Sequence, residues 1–320
     1  MIKKIGVLTS GGDAPGMNAA VRAVVRSALS KGMEVYGIHR GYNGLISGDI
    51  FKMDERSVSD IIHRGGTILY TARCPEFKYA EGVAKGKAMC DKFGIEGLVV
   101  IGGDGSFRGA ADLSAQGVLC IGIPGTIDND IACTDYTIGF DTAMNTAMEL
   151  ADKLRDTSQS HDRISVVEVM GRGAGHIAVN TGIACGATEI ITKEVPYDLE
   201  DIAKRMLAKK AKGKQNFVVI VAEGIGHSQE IAEKLQELTG IESRATVLGH
   251  VQRGGNPTLR DRVEATRMAY YAVELLENGI GDRVVGIKDS HLVDFDIQDA
   301  LHMTKPYDEK LHHIAEEIAF

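Results

Sequence analysis

The sequence predicts an α/β protein built from two Rossmann-like, three-layer αβα domains with mainly parallel sheets. Short apolar runs alternate with amphipathic stretches along the chain, as in repeated βαβ units. Some of these runs open into loops that combine glycine with aspartate, which is typical of the C-terminal ends of parallel strands. The chain has 320 residues, enough for about two domains.

The predicted elements follow one another in order. A strand over 5–8 precedes a helix over 19–30, a strand over 35–38 and helical signals over 58–63. Further strands are predicted at the apolar runs 98–101, 119–123, 164–169, 189–191 and 217–222. No low-complexity linker or internal repeat interrupts this spacing. The pattern indicates parallel sheets covered by helices, with ligands at the carboxyl ends of the strands.

Composition narrows the class of protein. The formal net charge of −8 argues against a nucleic acid or a membrane as partner, so a polyanionic substrate must be attracted by local arginines. The cysteines form no C-x-x-C pair, which favours reduced, mostly buried thiols over a zinc site. They are Cys74, Cys90, Cys120, Cys133 and Cys185. Without a signal-peptide core after Met1 or an apolar run of ~20 residues, we expect a cytoplasmic protein.

The loop behind the strand at 98–101 reads Gly102-Gly103-Asp104-Gly105-Ser106. Glycines allow backbone amides to approach a phosphate, and a carboxylate beside them can hold the hard cation that screens the phosphate charge. The alternative is an ordinary Asp-Gly turn. We favour phosphate binding because glycine stands on both sides of the aspartate.

The loop behind the strand at 119–123 carries Thr126, Asp128 and Asp130 after the rigid Pro124-Gly125 approach. On an extended segment the two aspartates would face the same side, where they could divide the roles of base and metal support. The alternative is a solvated acidic turn, which the preceding apolar strand makes less favourable. Together the two loops predict phosphoryl transfer, with a carboxylate as base for the attacking hydroxyl.

The first strand ends in a third glycine turn, Ser10-Gly11-Gly12-Asp13, ahead of a helix that starts near Asn18. A helix N-terminus behind such a turn favours phosphate, although a tight β-to-α turn explains it equally well. The turn has neither a P-loop lysine nor the Gly-x-Gly-x-x-Gly spacing. Both absences argue against a P-loop kinase and a Rossmann dehydrogenase.

Five further segments complete a pattern in chain order. They are Thr9 to Asn18, Thr71 to Phe77, Glu168 to Arg172, Ala222 to Gly224 and Gly249 to Gly255. Together with the two loops they resemble the bacterial ATP-dependent 6-phosphofructokinase family, from Ile5 to the last helix. The resemblance implies transfer from MgATP to fructose 6-phosphate, giving fructose 1,6-bisphosphate in the committed step of glycolysis, under allosteric regulation. It also implies a nucleotide domain over 1–139 plus 252–302 and a sugar-phosphate domain over 140–251 plus 303–320.

The resemblance assigns one set of residues to the donor. The implied ATP site comprises Gly12, Arg73, Cys74, Gly103, Asp104, Gly105 and Ser106. Asp104 would bind Mg²⁺, and Arg73 would also contact the migrating phosphoryl group. In this family an aspartate at the position of Gly105 and a lysine at that of Gly125 accompany pyrophosphate as donor, so glycine at both positions indicates ATP.

A second set is assigned to the acceptor. Asp128 would be the base on the sugar 1-hydroxyl, with Thr126 beside it, Asp130 near the metal, and Arg73 and Arg172 completing the catalytic set. The implied sugar-phosphate site comprises Thr126, Ile127, Asp128, Arg163, Met170, Gly171, Arg172, Glu223, Arg244, His250 and Arg253. Most arginines form surface salt bridges, but Arg172 and Arg253 adjoin glycines and so suit bidentate phosphate recognition. Arg163 and Arg244 would reach the neighbouring subunit's site in a homotetramer.

An effector site for ADP or phosphoenolpyruvate is also implied. Its residues are Arg22, Arg26, Arg155, Gly186, Thr188, Lys212, Lys214 and Asn216. Arg22 and Arg26 share a helix face at i, i+4 spacing, which a solvated face would explain as well. The chain departs from the family here, because Thr188 stands where a carboxylate is usual and Glu189 follows one residue later. Catalysis is therefore better supported than regulation.

Two other functions remain open from the residues alone. A lipid or dinucleotide kinase also uses Gly-Gly-Asp-Gly behind a strand, and the loop at 126–130 argues against it. A non-enzymatic nucleotide sensor could keep the glycines but would not need both Asp104 and Asp128. Of the ten histidines only His250 has a functional context, and the others, including His312 and His313, are expected on surfaces or at caps.

Overall fold

The computed structural model describes residues 2–319. Within that range the strands are β1 (Lys4–Thr9), β2 (Glu34–Ile38), β3 (Ile50–Met53), β4 (Gly97–Gly102), β5 (Leu119–Pro124), β6 (Ile164–Val169), β7 (Glu189–Ile191), β8 (Phe217–Ala222), β9 (Ser243–Val247), β10 (Arg283–Lys288) and β11 (His291–Asp296). The α-helices in the same range are α1 (Met17–Ser30), α2 (Tyr42–Ser47), α3 (Ala80–Phe93), α4 (Asp104–Ser114), α5 (Phe140–His161), α6 (His176–Ala184), α7 (Leu199–Ala211), α8 (Ser228–Thr239), α9 (Leu259–Glu277), α10 (Ile297–His302) and α11 (Glu309–Ile318). Short 3₁₀ helices lie at Arg56–Val58, Pro75–Lys78 and Gly249–Arg253.

The chain divides into two compact units. The first unit contains the N-terminal residues up to Ile127, Ile131–Thr142 and Arg253–Lys305. The second unit contains Asp128–Asp130, Ala143–Gln252 and the residues from Pro306 onward. The assignment of one unit to the nucleotide and the other to the sugar phosphate stays a prediction.

The first unit is built on a seven-stranded sheet of order β11-β10-β5-β4-β1-β2-β3. Its five inner strands are parallel, while β3 and β11 run antiparallel at the edges. Every residue of β4 is buried, as expected for a strand covered on both faces. One face packs against α2, α3, α4 and α10 through residues such as Leu8, Leu98 and Val100. Helices α1 and α9 pack on each other and on the sheet as a further layer.

The second unit is built on a four-stranded parallel sheet of order β7-β8-β6-β9. Ile164, Val166 and Val219 of this sheet pack against Ile202 of α7 and Leu235 of α8. Helices α6 and α11 contact β7 and each other. The predicted fold class, α/β with mainly parallel sheets, is confirmed in both units.

The helix expected over 58–63 is wrong. The chain forms a 3₁₀ helix at Arg56–Val58, after which Ser59 is extended and Asp60 has a φ of 55°. A left-handed residue directly after an extended one ends any helix there. The helix between β2 and β3 is α2, which the sequence analysis did not predict because Gly41 and Gly44 weaken its helical pattern.

Two expectations from composition concern membranes and cysteines. Among residues 2–319, none of the helices is both long and apolar enough to span a membrane; the cytoplasmic location stays a prediction. All the cysteines are free, and four of them are buried while Cys74 is half-buried. The expectation that the cysteines are mostly buried is confirmed, and their reduced state stays a prediction.

Candidate active site

The turn between β1 and α1 presents backbone at the surface of the first unit. Gly11, with a φ of 88°, and Gly12 are both exposed. The N–H of Ser10 donates to the carbonyl of Ile101 at 2.9 Å, so the turn lies beside the end of β4. Helix α1 begins after Gly16, whose φ of 106° is a conformation that favours glycine. The predicted turn and the helix N-terminus behind it are therefore both present.

The end of β4 passes directly into α4, whose first residue is Asp104. A Cβ added at Gly103 or Gly105 would meet nothing within 4 Å, so the backbone here is open to a ligand. The start of an eleven-residue helix attracts phosphate. A carboxylate at the same place would repel phosphate unless a cation lies between them. The arrangement therefore suits a phosphate group that arrives with its own cation.

Ser106 lies behind this loop rather than on its exposed side. Its side chain is 4% exposed, and a Cβ added at Gly102 would lie 2.5 Å from its hydroxyl oxygen. Its N–H donates to the carbonyl of Gly103 at 2.8 Å, and its own carbonyl accepts the hydroxyl of Tyr42. Ser106 thus fixes the loop that the glycines present.

Arginines approach the same face of the first unit. The guanidinium of Arg253 lies 3.5 Å from the position of a Cβ on Gly12. The hydroxyl of Thr71 donates to the carbonyl of Gly11 at 2.7 Å, which brings the segment containing Arg73 and Cys74 towards the glycine turn. Arg73 is exposed, and burial raises the pKa of the Cys74 thiol. The structure thus places Arg253 beside a residue predicted to bind ATP, although the resemblance gave it to the sugar phosphate.

The loop behind β5 leaves the strand next to β4, with Gly102 paired to Pro124. The N–H of Gly125 donates to the carbonyl of Gly102 at 2.9 Å. The hydroxyl of Thr137 donates to the backbone carbonyl of Thr126 at 2.7 Å. The two loops that predict phosphoryl transfer are therefore neighbours at the ends of adjacent strands. Thr126 is half-buried and Ile127 is 2% exposed.

The segment from Asp128 to Asp130 is a turn, so the extended conformation expected for it is wrong. Asn129 has a φ of 51°, a left-handed conformation that asparagine tolerates better than most residues. Asp128 and Asp130 are both half-buried, and Asn129 is 6% exposed. The alternation of a strand therefore does not set the direction of the two carboxylates.

The loop between β6 and α6 is held in an unusual conformation in the second unit. Gly171 has a φ of 146° and Arg172 a φ of 58°. One carboxylate oxygen of Glu223 accepts the N–H groups of Gly171 and Arg172, while Gln252 accepts the N–H of Met170 at 2.8 Å. The side chain of Arg172 is 75% exposed, and its guanidinium lies 3.9 Å from the carboxylate of Asp130. The loop thus presents a cation to solvent.

Arg163 and Arg244 bind the same carboxylate. Arg163 Nε lies 2.8 Å from one oxygen of Glu242, and Arg244 Nη2 lies 2.7 Å from the other. Both guanidinium groups keep donors beyond this contact, since each carries five N–H bonds. His250 is exposed in the 3₁₀ helix Gly249–Arg253.

The first-unit part of the predicted effector site is a pair of arginines on α1. Arg22 is half-buried and Arg26 is exposed. Burial and the neighbouring Arg26 guanidinium lower the pKa of Arg22. A bound anion would reduce the repulsion between the two guanidinium groups, so the pair is consistent with phosphate binding.

In the second unit, cations surround the turn after α6. Arg155 donates to the carbonyls of Cys185 and Gly186, and the Nζ of Lys209 lies 3.5 Å from the carbonyl of Thr188. Burial, together with Arg155, lowers the pKa of Lys214. Burial also lowers the pKa of Lys209. Lys212 is exposed and Asn216 half-buried in the following segment.

Thr188 and Glu189 lie side by side but differ in their surroundings. Thr188 is 3% exposed, and its N–H donates to the carbonyl of Val218 at 2.7 Å. Glu189 is the first residue of β7 and binds Arg205 through both carboxylate oxygens, at 3.1 and 2.6 Å. Lys209 lies 3.9 Å from the same carboxylate. The Glu189 carboxylate is therefore already paired with two cations of α7.

The expectation for the histidines is wrong at two positions. His312 is 2% exposed, and its Nδ1 lies 2.6 Å from the hydroxyl of Tyr307. His176, the first residue of α6, is 9% exposed. Both belong to apolar helix faces that close over β7, so burial and not capping determines their places.

Sequence reasoning missed three polar residues that support the site. Gln252 lies within the 249–255 segment, but its residue type alone indicated no role. Glu242 and Lys209 sit in ordinary charged helices or turns, where the residue type gives no signal. Their partners are distant in sequence, so only the fold reveals them.

Asp104 is the residue that fits a magnesium ion. Mg²⁺ in phosphoryl-transfer sites keeps several waters and takes one or two carboxylates together with substrate phosphates. Within residues 2–319 no cluster of three or more His, Cys, Asp or Glu side chains forms a complete metal site. A single carboxylate at the phosphate-attracting start of α4 fits an ion that is brought by the nucleotide.

Comparisons with known proteins agree with one another. A family model described as phosphofructokinase matches residues 4–276. An ATP-dependent 6-phosphofructokinase of Clostridium botulinum (strain Loch Maree / Type A3) is 58% identical over 314 residues, covering 98% of each chain. One of Clostridium tetani (strain Massachusetts / E88) is 57% identical over 319 residues, covering 100% of each chain. A solved phosphofructokinase from Saccharomyces cerevisiae is 34% identical with a TM-score of 0.89 over 99% of this chain, which spans about half (48%) of the yeast chain.

Proposed function

Since the chain belongs to the phosphofructokinase family, we infer that it transfers the terminal phosphoryl group of ATP to the 1-hydroxyl of D-fructose 6-phosphate. The products are fructose 1,6-bisphosphate and ADP, in the committed step of glycolysis. The observation that supports this most directly is the open backbone of Gly103 and Gly105 at the start of α4, with Asp104 between them.

We propose that the first unit binds the donor. The amides around Gly12, Gly103 and Gly105 cradle the phosphates, and Arg73 and Cys74 line the nucleotide side. Asp104 holds Mg²⁺, which neutralises charge on the phosphates when it is bound. The guanidinium of Arg253 beside Gly12 adds positive charge near the same phosphates.

The second unit would bind the acceptor. Asp128 takes the proton of the sugar hydroxyl, the oxygen forms a bond to the γ-phosphorus, and the bond from that phosphorus to ADP breaks. Arg172 stabilises the charge on the phosphoryl group, and Met170, Gly171, Glu223 and His250 position the sugar phosphate. This role for Arg172 agrees with its exposed guanidinium, on a loop whose backbone is hydrogen-bonded to Glu223 and Gln252.

Assembly and regulation follow as proposals from the same family. Arg163 and Arg244 serve a neighbouring subunit of a homotetramer, where their remaining donors bind the sugar phosphate. ADP and phosphoenolpyruvate bind at Arg22, Arg26, Arg155 and the turn at Gly186. The neighbouring positive charges, Arg26 beside Arg22 and Arg155 beside Lys214, support an anion at these places.

The choice of donor tests the proposal. A coupled assay with fructose 6-phosphate compares ATP and pyrophosphate, and we expect turnover with ATP only. A Gly105→Asp variant is sterically admissible, because nothing lies within 4 Å of its Cβ, and should lower ATP turnover by charge repulsion. Turnover with pyrophosphate, or none with fructose 6-phosphate and either donor, would overturn the assignment.

A further inference from the structure

The loop between β6 and α6 is fastened at both ends by side-chain acceptors. At its start, Gln252 and Glu223 accept the N–H groups of Met170, Gly171 and Arg172. At its end, one carboxylate oxygen of Glu194 accepts the N–H of Gly175 at 2.8 Å. All of these residues belong to the second unit. Glu194 has no role in the site described so far.

Glu194 is closely packed against the end of the loop. Its second oxygen, Oε2, is buried and makes no hydrogen bond to the described residues. A Cβ added at Gly175 would lie 2.9 Å from that oxygen and 2.8 Å from the Cγ2 of Thr192. A side chain at position 175 would therefore have to displace Glu194 or Thr192.

The loop needs such a fastening because Arg172 is in a left-handed conformation. A non-glycine residue at a φ of 58° is held there only when its surroundings fix it. Within the loop itself, one hydrogen bond closes the turn, from the N–H of Ala174 to the carbonyl of Gly171 at 3.0 Å. The two ends, at Glu223 and Glu194, then determine where the Arg172 side chain projects.

The surroundings of Glu194 hold it in turn. Tyr307 and the first residue of α6, His176, lie with ring centres 6.2 Å apart, and Tyr307 bonds to His312. The charge of Glu194 contributes to raising the pKa of the half-buried Tyr307 and partly offsets the effect of burial on the pKa of His312. The end of the loop is thus tied to a packed layer and not to solvent.

We propose that Glu194 is a positioning residue for Arg172. By accepting the Gly175 N–H it fixes the far end of the loop, so that the guanidinium is preorganised for the anionic acceptor substrate. The catalytic consequence rests on the proposed function, whereas the fastening of the loop does not.

Three variants test it. Glu194→Ala removes the acceptor, and Glu194→Gln keeps an amide oxygen that can accept the same N–H. Asp198→Ala is the matched control, because the Asp198 carboxylate accepts the N–H of Glu200 at 2.8 Å at the start of α7 and does not contact the loop. Hydrogen exchange of a peptide covering 171–175 is measured for each, together with KM for fructose 6-phosphate and for ATP.

In Glu194→Ala we expect exchange at 171–175 to be at least about tenfold faster and KM for fructose 6-phosphate to rise on the order of 10- to 100-fold, with KM for ATP unchanged. Glu194→Gln and Asp198→Ala should match the wild type in both measurements. Unchanged exchange in Glu194→Ala, equal rises in both KM values, or a Glu194→Gln as impaired as the alanine variant would each overturn the proposal. A wild type that does not phosphorylate fructose 6-phosphate refutes the function instead, and the exchange data still decide the fastening.

Discussion

The guanidinium of Arg172 lies 3.9 Å from the carboxylate of Asp130. A left-handed backbone conformation occurs at Arg172 itself and at Asn129, which precedes Asp130. Such an exposed ion pair contributes only about 0–1 kcal/mol, so an incoming phosphate can displace it at little cost. The Arg172 guanidinium therefore stays available to substrate although it lies near Asp130.

Replacing Asp128 with asparagine tests the base. The amide keeps the shape of the side chain but cannot accept the hydroxyl proton, so turnover should fall by at least about 10²-fold. ATP binding and the melting temperature should be nearly unchanged. Steady-state kinetics, nucleotide titration and thermal unfolding provide the measurements.

The matched control is Asp54→Asn, which changes a carboxylate of the same size in an exposed turn of the first unit. It should leave turnover unaltered. If Asp128→Asn kept turnover within a few-fold of the wild type, Asp128 would not be the base.

A second prediction concerns the subunit boundary. Arg163 and Arg244 share Glu242 within one chain, and we propose that their free donors serve a neighbouring subunit. A variant lacking Arg163 and one lacking Asp128 should each be nearly inactive. Refolding them together should restore some activity, because a hybrid can contain a site in which both residues are intact.

The hybrids are separated by a charge tag on one variant, so that their formation is established independently of activity. Recovery confined to the hybrid fractions is the expected result. Confirmed hybrids with no more activity than either parent would rule out a shared site.

The fold was predictable from the sequence where burial is complete on both faces of a strand. The runs that became β4 and β8 contain no polar side chains and are rich in valine and isoleucine, so their pattern indicates parallel strands. The helix expected at 58–63 failed because Asp60 adopts a left-handed conformation, which no periodicity of apolar residues reveals.

The candidate site was predictable as a set of residues but not as a set of contacts. The glycine loops can be recognised from their residue types alone. Glu242, Lys209 and Glu194 are charged residues whose neighbours in the sequence give no sign of a functional role. Their partners are backbone or side-chain groups brought close by the fold, such as the Gly175 N–H that Glu194 accepts. The left-handed conformation of Asn129, between Asp128 and Asp130, is likewise not indicated by the spacing of the two aspartates.

His312 gives a pH dependence of stability. Burial lowers its pKa, an effect only partly offset by Glu316, Glu194 and Glu189, from an ordinary value of about 6.5. As pH falls through about 6.5, the unfolded chain therefore binds more protons than the folded one, and the folded state loses stability. The loss is at most about 1.4 kcal/mol per pH unit for one proton.

A His312→Gln variant removes this titration and retains a polar partner for Tyr307. Between about pH 7.5 and 5.5, its free energy of unfolding in urea should decline less steeply than that of the wild type. Parallel curves for the two proteins would show that His312 does not titrate differently on folding.

The last prediction concerns the proposed effector site, where the resemblance implies a departure of this chain from its family. A diphosphate effector that carries Mg²⁺ is met by arginines on its phosphates and by a loop carboxylate on its cation, and that carboxylate disfavours a cation-free anion such as phosphoenolpyruvate. Thr188 is buried at that position, and Glu189 is held by Arg205 through both oxygens. Neither residue is then placed to discriminate between the two effectors.

We therefore expect ADP and phosphoenolpyruvate to bind with weaker discrimination than in relatives with a glutamate at this position. Fructose 6-phosphate saturation curves with each effector measure this for the wild type, for Thr188→Glu, and for Thr188→Val as an isosteric control for packing. Thr188→Glu should separate the two responses by a coupling free energy of about 1–3 kcal/mol, while Thr188→Val should leave them as in the wild type. Because Thr188 is only 3% exposed, the folding and the oligomeric state of the glutamate variant are compared with those of the wild type first, by melting temperature and by size. Strong, opposite responses in the wild type that the glutamate does not alter would show that another residue, and not position 188, makes the distinction.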